Sequence, residues 1–437
     1  MKFVTLVAMV LLFFSADKSS PIKPVKATST NEFLNSIGVN SAISARGEKL
    51  DKTIEAIKYT GIRWIRSGYE GGVSIDDYKT VHNATGVKYS YGLMSGGTDI
   101  ARLLKDARVL ANMGALLAFE GNNEPNNWAI NYKGKKSGKN ESWLGVAQLQ
   151  NNLYKAVKAD PLLKKYPVWN LTEGGAQTDN TGLQYLTIPA GANTVMPAGT
   201  QYADYATCHN YFSHPSHPGL YDNQTWNAAD PGPACKVDGL YGNYGKTWAH
   251  NFEGYTEEQL ADLPKVTTET GVTIQGDFSE EKQARLYINL YLSQFKRKWS
   301  YTAVYLLRDR SDEDGNQSFG FYQKDYTPRK AAVYLHNLTT ILADKGTVSK
   351  AGSLAYAIHN KPETVHDLLL QNSNGKFQLV IWDEKAAGTD EVQIRFTKKH
   401  AVVNVYDPTV SASAQKMLNN CSAVMLTLND HPLVVEL

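Results

Sequence analysis

The sequence predicts an α/β protein, a (β/α)₈ TIM barrel followed by a small C-terminal antiparallel β-sandwich domain. Between about residues 35 and 342, short apolar runs alternate with longer amphipathic runs. That alternation is typical of parallel strands joined by right-handed helical crossovers. After about residue 345 the runs are short, often with period two, and turn residues separate them. This second pattern favours an antiparallel sheet.

Taken in order, the barrel strands are predicted at Ile37–Val39, Ile62–Arg66, Lys88–Leu93, Ala115–Phe119, Val168–Leu171, Tyr202–His209, Lys265–Thr268 and Ala303–Leu307. Longer amphipathic runs predict helices at Lys49–Tyr59, Ile100–Met113, Leu144–Lys158, Glu280–Trp299 and Pro328–Leu342. Eight strands in about 300 residues favour a closed barrel. An open doubly wound sheet is the alternative, but no GxGxxG or Walker loop follows an early strand.

The sandwich strands are predicted at Leu368–Leu370, Phe377–Trp382, Val392–Phe396, Val402–Tyr406, Val424–Leu428 and Leu433–Leu437. Asn, Gly, Asp and Lys residues between these runs are typical of turns. We therefore divide the chain into an N-terminal leader and extension (residues 1–27), a barrel (28–344) and a sandwich (345–437).

The composition bounds the classes of function. Hydrophobic residues make up 42% of the 437 residues and charged residues 20%, so the chain can bury a core. Its 45 Lys and Arg against 43 Asp and Glu give a net charge of +2, which argues against binding nucleic acid or an anionic membrane by charge. Aromatic residues make up 11%. They suit sugar stacking but equally suit core packing. The chain is expected to be a monomer.

The N-terminus resembles a secretory leader. Lys2 precedes the apolar run Phe3–Phe14, which is too short to span a bilayer but has the length of a signal-peptide core. A buried N-terminal helix is the alternative, disfavoured by the polar stretch that follows. Cleavage after Ala16 or Ala27 is open, with better small-residue spacing at Ala27. The mature chain is expected to be soluble and exported, either secreted or periplasmic.

Three cysteines are present. Cys208 and Cys235 flank a segment rich in Pro, Gly and Tyr, and a bridge between them would restrain that loop in an oxidising compartment. Three unpaired thiols, with Cys421, are the alternative. Neither a CxxC motif nor a His/Cys cluster suggests a metal site, and no cofactor is expected.

Two glutamates lie near predicted strand ends, where a (β/α)₈ barrel carries its chemistry. Glu124 lies in Glu120–Asn126 after the fourth strand, and Glu269 ends the apolar run that begins at Lys265. Cleavage of a glycosidic bond needs two carboxyl groups across one cleft, one to protonate the leaving oxygen and one to attack or to activate water. A lone glutamate is usually a solvated surface residue, but this pair favours a glycosidase.

These motifs resemble clan A of the glycoside hydrolases, and the whole chain resembles members of the β-xylosidase/α-L-iduronidase type. Asn123-Glu124-Pro125 is similar to the clan's Asn-Glu-Pro triplet at the fourth strand, and Glu269 is similar to its nucleophile at the seventh. The resemblance implies a retaining enzyme with a (β/α)₈ barrel and an added β-sandwich. It implies that Glu124 is the acid/base and Glu269 the nucleophile.

The resemblance extends to supporting residues. Arg66, which ends a run similar to the clan's second strand, would keep the nucleophile ionised. Asn123 would hydrogen-bond the sugar 2-hydroxyl. His209 and Tyr211 resemble a His/Tyr pair that orients the nucleophile and lines the sugar site. The alternatives are a surface ion pair, a turn-shaping asparagine and a core histidine.

Three further assignments complete the expected site. Trp128 is a candidate aromatic platform on the leaving-group side. The clan often has a tryptophan at the end of strand eight, which is absent here, and Arg308 or Asp309 are candidates to contact sugar hydroxyls or an acidic sugar. Glu120 is a rival for the acid and could instead be an inward-facing partner in the barrel.

The sequence thus predicts a secreted retaining glycoside hydrolase acting on a β-linked glycan. A transglycosylase using the same two glutamates is one alternative. A carbohydrate-binding protein that has lost catalysis is another, which the two intact carboxylates disfavour.

Overall fold

The computed structural model describes residues 22–69, 72–125, 127–139, 141, 144–172, 203–213, 219–230, 264–313, 318–344, 346, 348 and 350–437. The apolar run Phe3–Phe14 and Cys235 lie outside these ranges. The signal peptide and the Cys208–Cys235 bridge therefore stay predictions. In the described part of the chain, no helix is both long enough and apolar enough to cross a membrane.

In chain order the strands are β1 (Pro24–Lys26), β2 (Thr28–Ser29), β3 (Ile37–Asn40), β4 (Trp64–Gly68), β5 (Lys88–Met94), β6 (Leu116–Asn122), β7 (Ile130–Tyr132), β8 (Lys135–Ser137), β9 (Val168–Trp169), β10 (Ala206–His209), β11 (Lys265–Glu269), β12 (Tyr301–Val304), β13 (Ser353–His359), β14 (Val365–Gln371), β15 (Phe377–Asp383), β16 (Asp390–Tyr406), β17 (Ala414–Leu428) and β18 (Pro432–Glu436). The helices are α1 (Thr30–Ser36), α2 (Leu50–Thr60), α3 (Ile75–Thr85), α4 (Ile100–Asn112), α5 (Leu144–Ala159), α6 (Gln224–Ala228), α7 (Glu280–Lys296) and α8 (Lys330–Ile341).

Eight strands form the barrel sheet in the order β10-β11-β12-β3-β4-β5-β6-β9, and every neighbouring pair is parallel. A parallel bridge between Trp169 and Tyr205 joins the two ends of that order. The predicted (β/α)₈ barrel is confirmed, and the open doubly wound sheet is excluded.

Local sequence explains where the helices begin and end. Ser74 and Asp77 form a capping box at the start of α3, each side chain accepting the other's backbone N–H. Gly61 ends α2 with φ of 72° and donates its N–H to the carbonyl of Ile57 at 3.1 Å. Helices α1 and α3 were not predicted from the sequence, because each has too few apolar residues to show a helical period.

The barrel interior is layered. Its apolar floor consists of Trp64, Ala118, Trp169, Val266 and Ala303. Gly38 makes room for the Trp64 ring, since a Cβ there would lie 2.1 Å from it. Residues two apart on a strand share a face, so Arg66, Glu120 and Thr268 form the next layer above this floor. Buried charge therefore lies directly beneath the carboxyl ends of the strands.

The second domain, predicted to be a β-sandwich, contains an eight-stranded sheet in the order β1-β13-β16-β18-β15-β14-β2, with β17 paired to β16. Its strand pairs are antiparallel except for the parallel pair of β14 and β2. The residues expected to form two strands, at Val392–Phe396 and Val402–Tyr406, belong to the single long strand β16. Its first half pairs with β13 and its second half with β18, with an irregularity between Arg395 and His400.

The N-terminal segment belongs to this second domain. Strand β1 pairs with β13 and β2 pairs with β14. The boundary predicted at residue 28 therefore differs from the structure, in which both segments around it join the sandwich sheet. Strands of three and two residues are too short for a periodic pattern to show.

A buried carboxylate ties the two domains together. Glu384, just after β15, accepts the backbone N–H groups of Thr225 and Trp226 at 2.8 and 3.0 Å, at the start of α6. It also accepts the hydroxyl of Ser293 on α7 at 2.7 Å. Asp430 adds ion pairs to α7. The sandwich is thus fixed to the barrel through α6 and α7.

Candidate active site

Glu124 lies in a tight turn just beyond β6. Its φ is +45°, a left-handed conformation that costs a non-glycine residue about 1–2 kcal/mol. Backbone hydrogen bonds hold it: its N–H donates to the carbonyl of Thr172 at 2.7 Å, and its own carbonyl accepts from Asn127 and Trp128, both at 2.8 Å. The turn directs a carboxyl group at the mouth of the barrel, where 14% of the side chain is exposed.

Arg66 is the buried hub of the site. Its guanidinium binds Glu120 through Nε at 2.8 Å and Nη2 at 2.7 Å, and Glu269 through Nη1 at 2.5 Å. Burial alone would lower the pKa of Arg66, but the two carboxylates outweigh it and raise that pKa above its ordinary value. Arg66 is therefore a permanent cation, and Glu120 is fully buried against it rather than open to substrate.

Glu269 ends β11 with both carboxylate oxygens bound to donors. Oε1 accepts from Arg66, and Oε2 accepts the hydroxyl of Tyr211 at 2.9 Å. Burial, and then the charge of Glu269, raises the pKa of Tyr211 well above its usual range, so the phenol stays a donor. Donors therefore hold both oxygens of Glu269 in place, and one of those donors is a permanent cation.

Glu124 has different partners. His209 Nδ1 lies 2.8 Å from Oε1, and Asn127 Nδ2 donates to Oε2 at 2.9 Å. Burial acts to raise the pKa of Glu124, but the hydrogen bonds from His209 and Asn127 outweigh it and bring the pKa below its ordinary value. Neither direct partner is a permanent cation.

The two carboxylates are close together. One oxygen of Glu124, one of Glu269 and a ring nitrogen of His209 all lie within 4.8 Å of one another. His209 Nδ1 is 3.7 Å from Glu269, farther than from Glu124. This histidine therefore orients Glu124, whereas the resemblance implied that it orients the nucleophile.

The same three side chains are also the one group of possible metal ligands found among the described residues. A divalent cation there would meet the guanidinium of Arg66, 2.5 Å from Glu269. That adjacent positive charge disfavours a metal.

Asn123 is fixed beside the pair. Its Oδ1 accepts from Arg66 Nη2 at 2.8 Å, and its Nδ2 donates to Ser95 Oγ at 3.1 Å. Trp128, by contrast, is 57% exposed on the same loop, so its ring is open to a ligand.

The structure corrects the assignment of Arg308 and Asp309. Arg308 is buried and donates through Nε to the carbonyl of Lys324 at 2.7 Å, with its guanidinium over the ring of Tyr326. Asp309 pairs with Arg329 and accepts the N–H of Gly320. These contacts hold the loop after strand eight together, and both side chains are occupied there rather than turned to a substrate.

Tyr305 is an aromatic residue near the end of the eighth barrel strand, and it was given no role from the sequence. A cavity beside Arg66 is lined by Tyr305 together with Asn40, Arg46 and Arg310, among others. The hydroxyl of Tyr305 donates to Glu313. Burial and, after it, the charges of Glu313 and Glu269 raise the pKa of Tyr305. A search for any aromatic residue there, rather than for tryptophan, would have found it. Asn127, which binds the second oxygen of Glu124, is a further residue of the site that the sequence patterns did not indicate.

Comparison with known proteins gives the fold. No protein-family model and no curated protein matches the chain. Among solved structures, it is similar to a family 39 glycoside hydrolase from the gut symbiont Bacteroides cellulosilyticus WH2, with TM-score 0.54, 15% identity, and coverage of 92% of this chain and 81% of that one.

Two further structures are similar over almost their full lengths. A GH51 arabinofuranosidase from Xanthomonas axonopodis pv. citri has TM-score 0.54 and 11% identity, covering 96% of this chain and 98% of that one. CelM2, a bifunctional glucanase-xylanase from a metagenome library, has TM-score 0.53 and 10% identity, covering 95% and 96%. The chain therefore shares the fold of these three enzymes, which in this chain is a (β/α)₈ barrel joined to a β-rich domain.

Proposed function

We propose that this protein is a retaining glycoside hydrolase that cleaves β-linked glycans, with Glu124 as acid/base and Glu269 as nucleophile. One observation carries the proposal: oxygens of the two carboxylates lie within 4.8 Å, and only Glu269 is bound directly to a permanent cation. Retaining enzymes hold their carboxyl groups about 5–5.5 Å apart, whereas inverting enzymes need room for a water molecule between them. The short separation supports the retaining mechanism.

The first step joins the sugar to the enzyme. Glu124, carrying a proton, donates it to the glycosidic oxygen as the bond to the anomeric carbon breaks. Glu269 attacks that carbon and forms a covalent glycosyl-enzyme. Arg66 and Tyr211 each donate to one oxygen of Glu269 and so position its carboxylate for this attack.

The second step releases the sugar. Glu124, now ionised, removes a proton from water as the water attacks the anomeric carbon. The bond to Glu269 breaks, and the anomeric configuration of the substrate is restored. Glu124 must therefore gain and lose a proton in every cycle. The hydrogen bonds from His209 and Asn127 lower the pKa of Glu124 and so favour the base form needed in this second step, while the acid form needed in the first step becomes more populated as the pH falls.

The test is a screen of β-linked polysaccharides and aryl glycosides with detection of new reducing ends. The proposal expects product from the wild-type protein, none from Glu269→Gln, and the same anomer in product as in substrate by NMR at early times. An inverted first product would refute the retaining mechanism. No release from any substrate, with saturable glycan binding, would refute hydrolysis.

We also infer that the protein is exported from the cytoplasm. The apolar run Phe3–Phe14 that follows Lys2 supports export. Cleavage after Ala27 would remove strand β1, which pairs with β13, so we place the cleavage site before Pro24. N-terminal sequencing of protein recovered from culture medium or periplasm tests the site. A mass measured with and without reductant tests the bridge between Cys208 and Cys235.

A further inference from the structure

A lysine-rich hairpin follows the Glu124 turn. Strands β7 and β8 pair antiparallel, and the segment from residue 130 to 139, here called the lysine hairpin, carries four exposed lysines, namely Lys133, Lys135, Lys136 and Lys139. From residue 125 to 159 the sequence has six lysines and a single acidic residue, Glu141. The whole chain has a net charge of only +2, so this positive charge is concentrated locally.

The hairpin is anchored to the turn that carries Glu124. The backbone N–H of Lys139 donates to the carbonyl of Pro125 at 2.7 Å. Gly138, with φ of +98°, packs so closely that a Cβ would lie 2.4 Å from that same carbonyl oxygen. The base of the hairpin is therefore fixed one residue away from Glu124.

The lysine charges are poorly neutralised within the described part of the chain. Lys136 approaches Glu141 at 3.6 Å, a long contact between exposed side chains that is worth little. Lys133 lies over the ring of Tyr132. Four ammonium groups on one exposed arm repel each other, and a ligand with spaced negative charges would relieve that repulsion.

We propose that the lysine hairpin binds the leaving-group side of an anionic glycan, one that bears carboxylate or sulfate groups. This rests on the proposed function, because the leaving group begins at the oxygen that Glu124 protonates. The residues tied to the Glu124 turn are the exposed Trp128, whose N–H donates to the carbonyl of Glu124, and the hairpin, whose Lys139 N–H donates to the carbonyl of Pro125. Trp128 suits a sugar face, and the lysines suit anions on the sugars beyond it.

The experiment measures equilibrium binding in the inactive Glu269→Ala background. The probes are polygalacturonate for carboxylates, dextran sulfate for sulfates and laminarin as a neutral glycan. One variant changes the four hairpin lysines to glutamine. The matched control changes four exposed lysines of the sandwich, Lys350, Lys398, Lys399 and Lys416, to glutamine. Cleavage of a neutral aryl glycoside by each variant in the wild-type background checks folding.

The inference expects the hairpin variant to lose about 10-fold in affinity for one anionic glycan at about 50 mM salt, with most of the difference gone at about 0.5 M. The sandwich control should change less than about 2-fold, and laminarin binding should not change. Which anionic probe responds distinguishes carboxylates from sulfates.

Equal losses in the control, no loss in the hairpin variant, or equally tight lysine-dependent binding of duplex DNA would overturn the inference. Turnover of glycans without lysine-dependent binding removes this inference and leaves the hydrolase. Lysine-dependent glycan binding without turnover of any substrate would instead remove the proposed hydrolase and leave the hairpin as a glycan-binding element.

Discussion

Glu124 and Glu269 have the same side chain and nearly the same exposure, 14% and 12%, yet their surroundings differ in kind. Glu269 is bound by the guanidinium of Arg66 and by the phenol of Tyr211, whose pKa is raised well above its usual range. Neither partner loses its proton at ordinary pH. Glu124 is bound by an imidazole and an amide. The two carboxyl groups therefore differ in their neighbours, and the proposed difference in role rests on those neighbours.

The position of each glutamate on the backbone determines which partners its carboxyl group meets. Glu269 directly ends strand β11, in register with His209 on β10, and faces the buried layer that contains Arg66. Glu124 is two residues past the end of β6, in a left-handed turn that lifts it above that layer. The carboxylate of Glu269 on a strand end meets the buried cation, whereas the carboxylate of Glu124 on a turn meets His209 at the end of β10 and Asn127 from its own turn.

The largest effect is expected from removing either carboxyl group. Glu269→Ala should lower kcat by at least about 10⁴-fold, because the covalent intermediate cannot form. Azide should restore product with inverted configuration by filling the vacated space and attacking the anomeric carbon. Glu124→Ala should instead impair most the substrates with poor leaving groups, which need protonation.

If Glu269→Ala and Glu124→Ala show the same dependence on the leaving group and the same response to azide, the two carboxyl groups do not have different roles. If azide rescue of Glu269→Ala gives a product of retained configuration, Glu269 is the acid/base and Glu124 the nucleophile, the opposite of the proposed roles. Wild-type-like turnover in either variant would remove that residue from the mechanism.

A smaller effect is expected at Tyr211. Tyr211→Phe removes one hydrogen bond to a charged oxygen, and kcat should fall by about 10- to 100-fold with little change in KM. Tyr305→Phe, which removes the hydroxyl donated to Glu313 instead, is the matched control and should change kcat less. A larger kcat loss in Tyr305→Phe would show that the contact with Glu269 is not the important one.

The smallest effect on rate, and the most specific on pH, is expected at His209. Hydrogen bonding lowers the pKa of Glu124, so His209→Ala should raise it, since burial then acts with less opposition. The acid form of Glu124 is lost as pH rises, so the basic limb of kcat/KM should move to higher pH. Asn127→Ala, on the other oxygen, should move the same limb less. A shift of the acidic limb alone would contradict the pairing of His209 with Glu124.

The barrel and its two carboxylates were predictable because their signals are local. Repeated apolar runs mark buried parallel strands; Glu269 ends one of these strands, and Glu124 lies two residues past the end of another. The short strands β1 and β2 gave no signal, because five residues cannot show a period and their pairing partners lie more than three hundred positions along the chain.

The supporting residues were harder to assign because their roles depend on which side chains meet. Arg308 and Asp309 follow a strand, as catalytic residues do, yet the loop at Gly320 and Lys324 folds back and occupies them. His209 neighbours Glu269 in the sheet register but bonds Glu124, since its ring reaches across to the turn. The order of residues in the sequence does not indicate which of the two glutamates His209 will bond.

The most direct test of the two carboxyl roles is intact-protein mass spectrometry after incubation with a panel of activated 2-deoxy-2-fluoro glycosides, followed by peptide mapping. The account predicts a stable mass increase of one fluoroglycosyl group, carried on Glu269, that is absent in Glu269→Gln and still forms in His209→Ala. Attachment to Glu124, or steady turnover of these reagents with no enzyme-bound sugar and an inverted product, would contradict it.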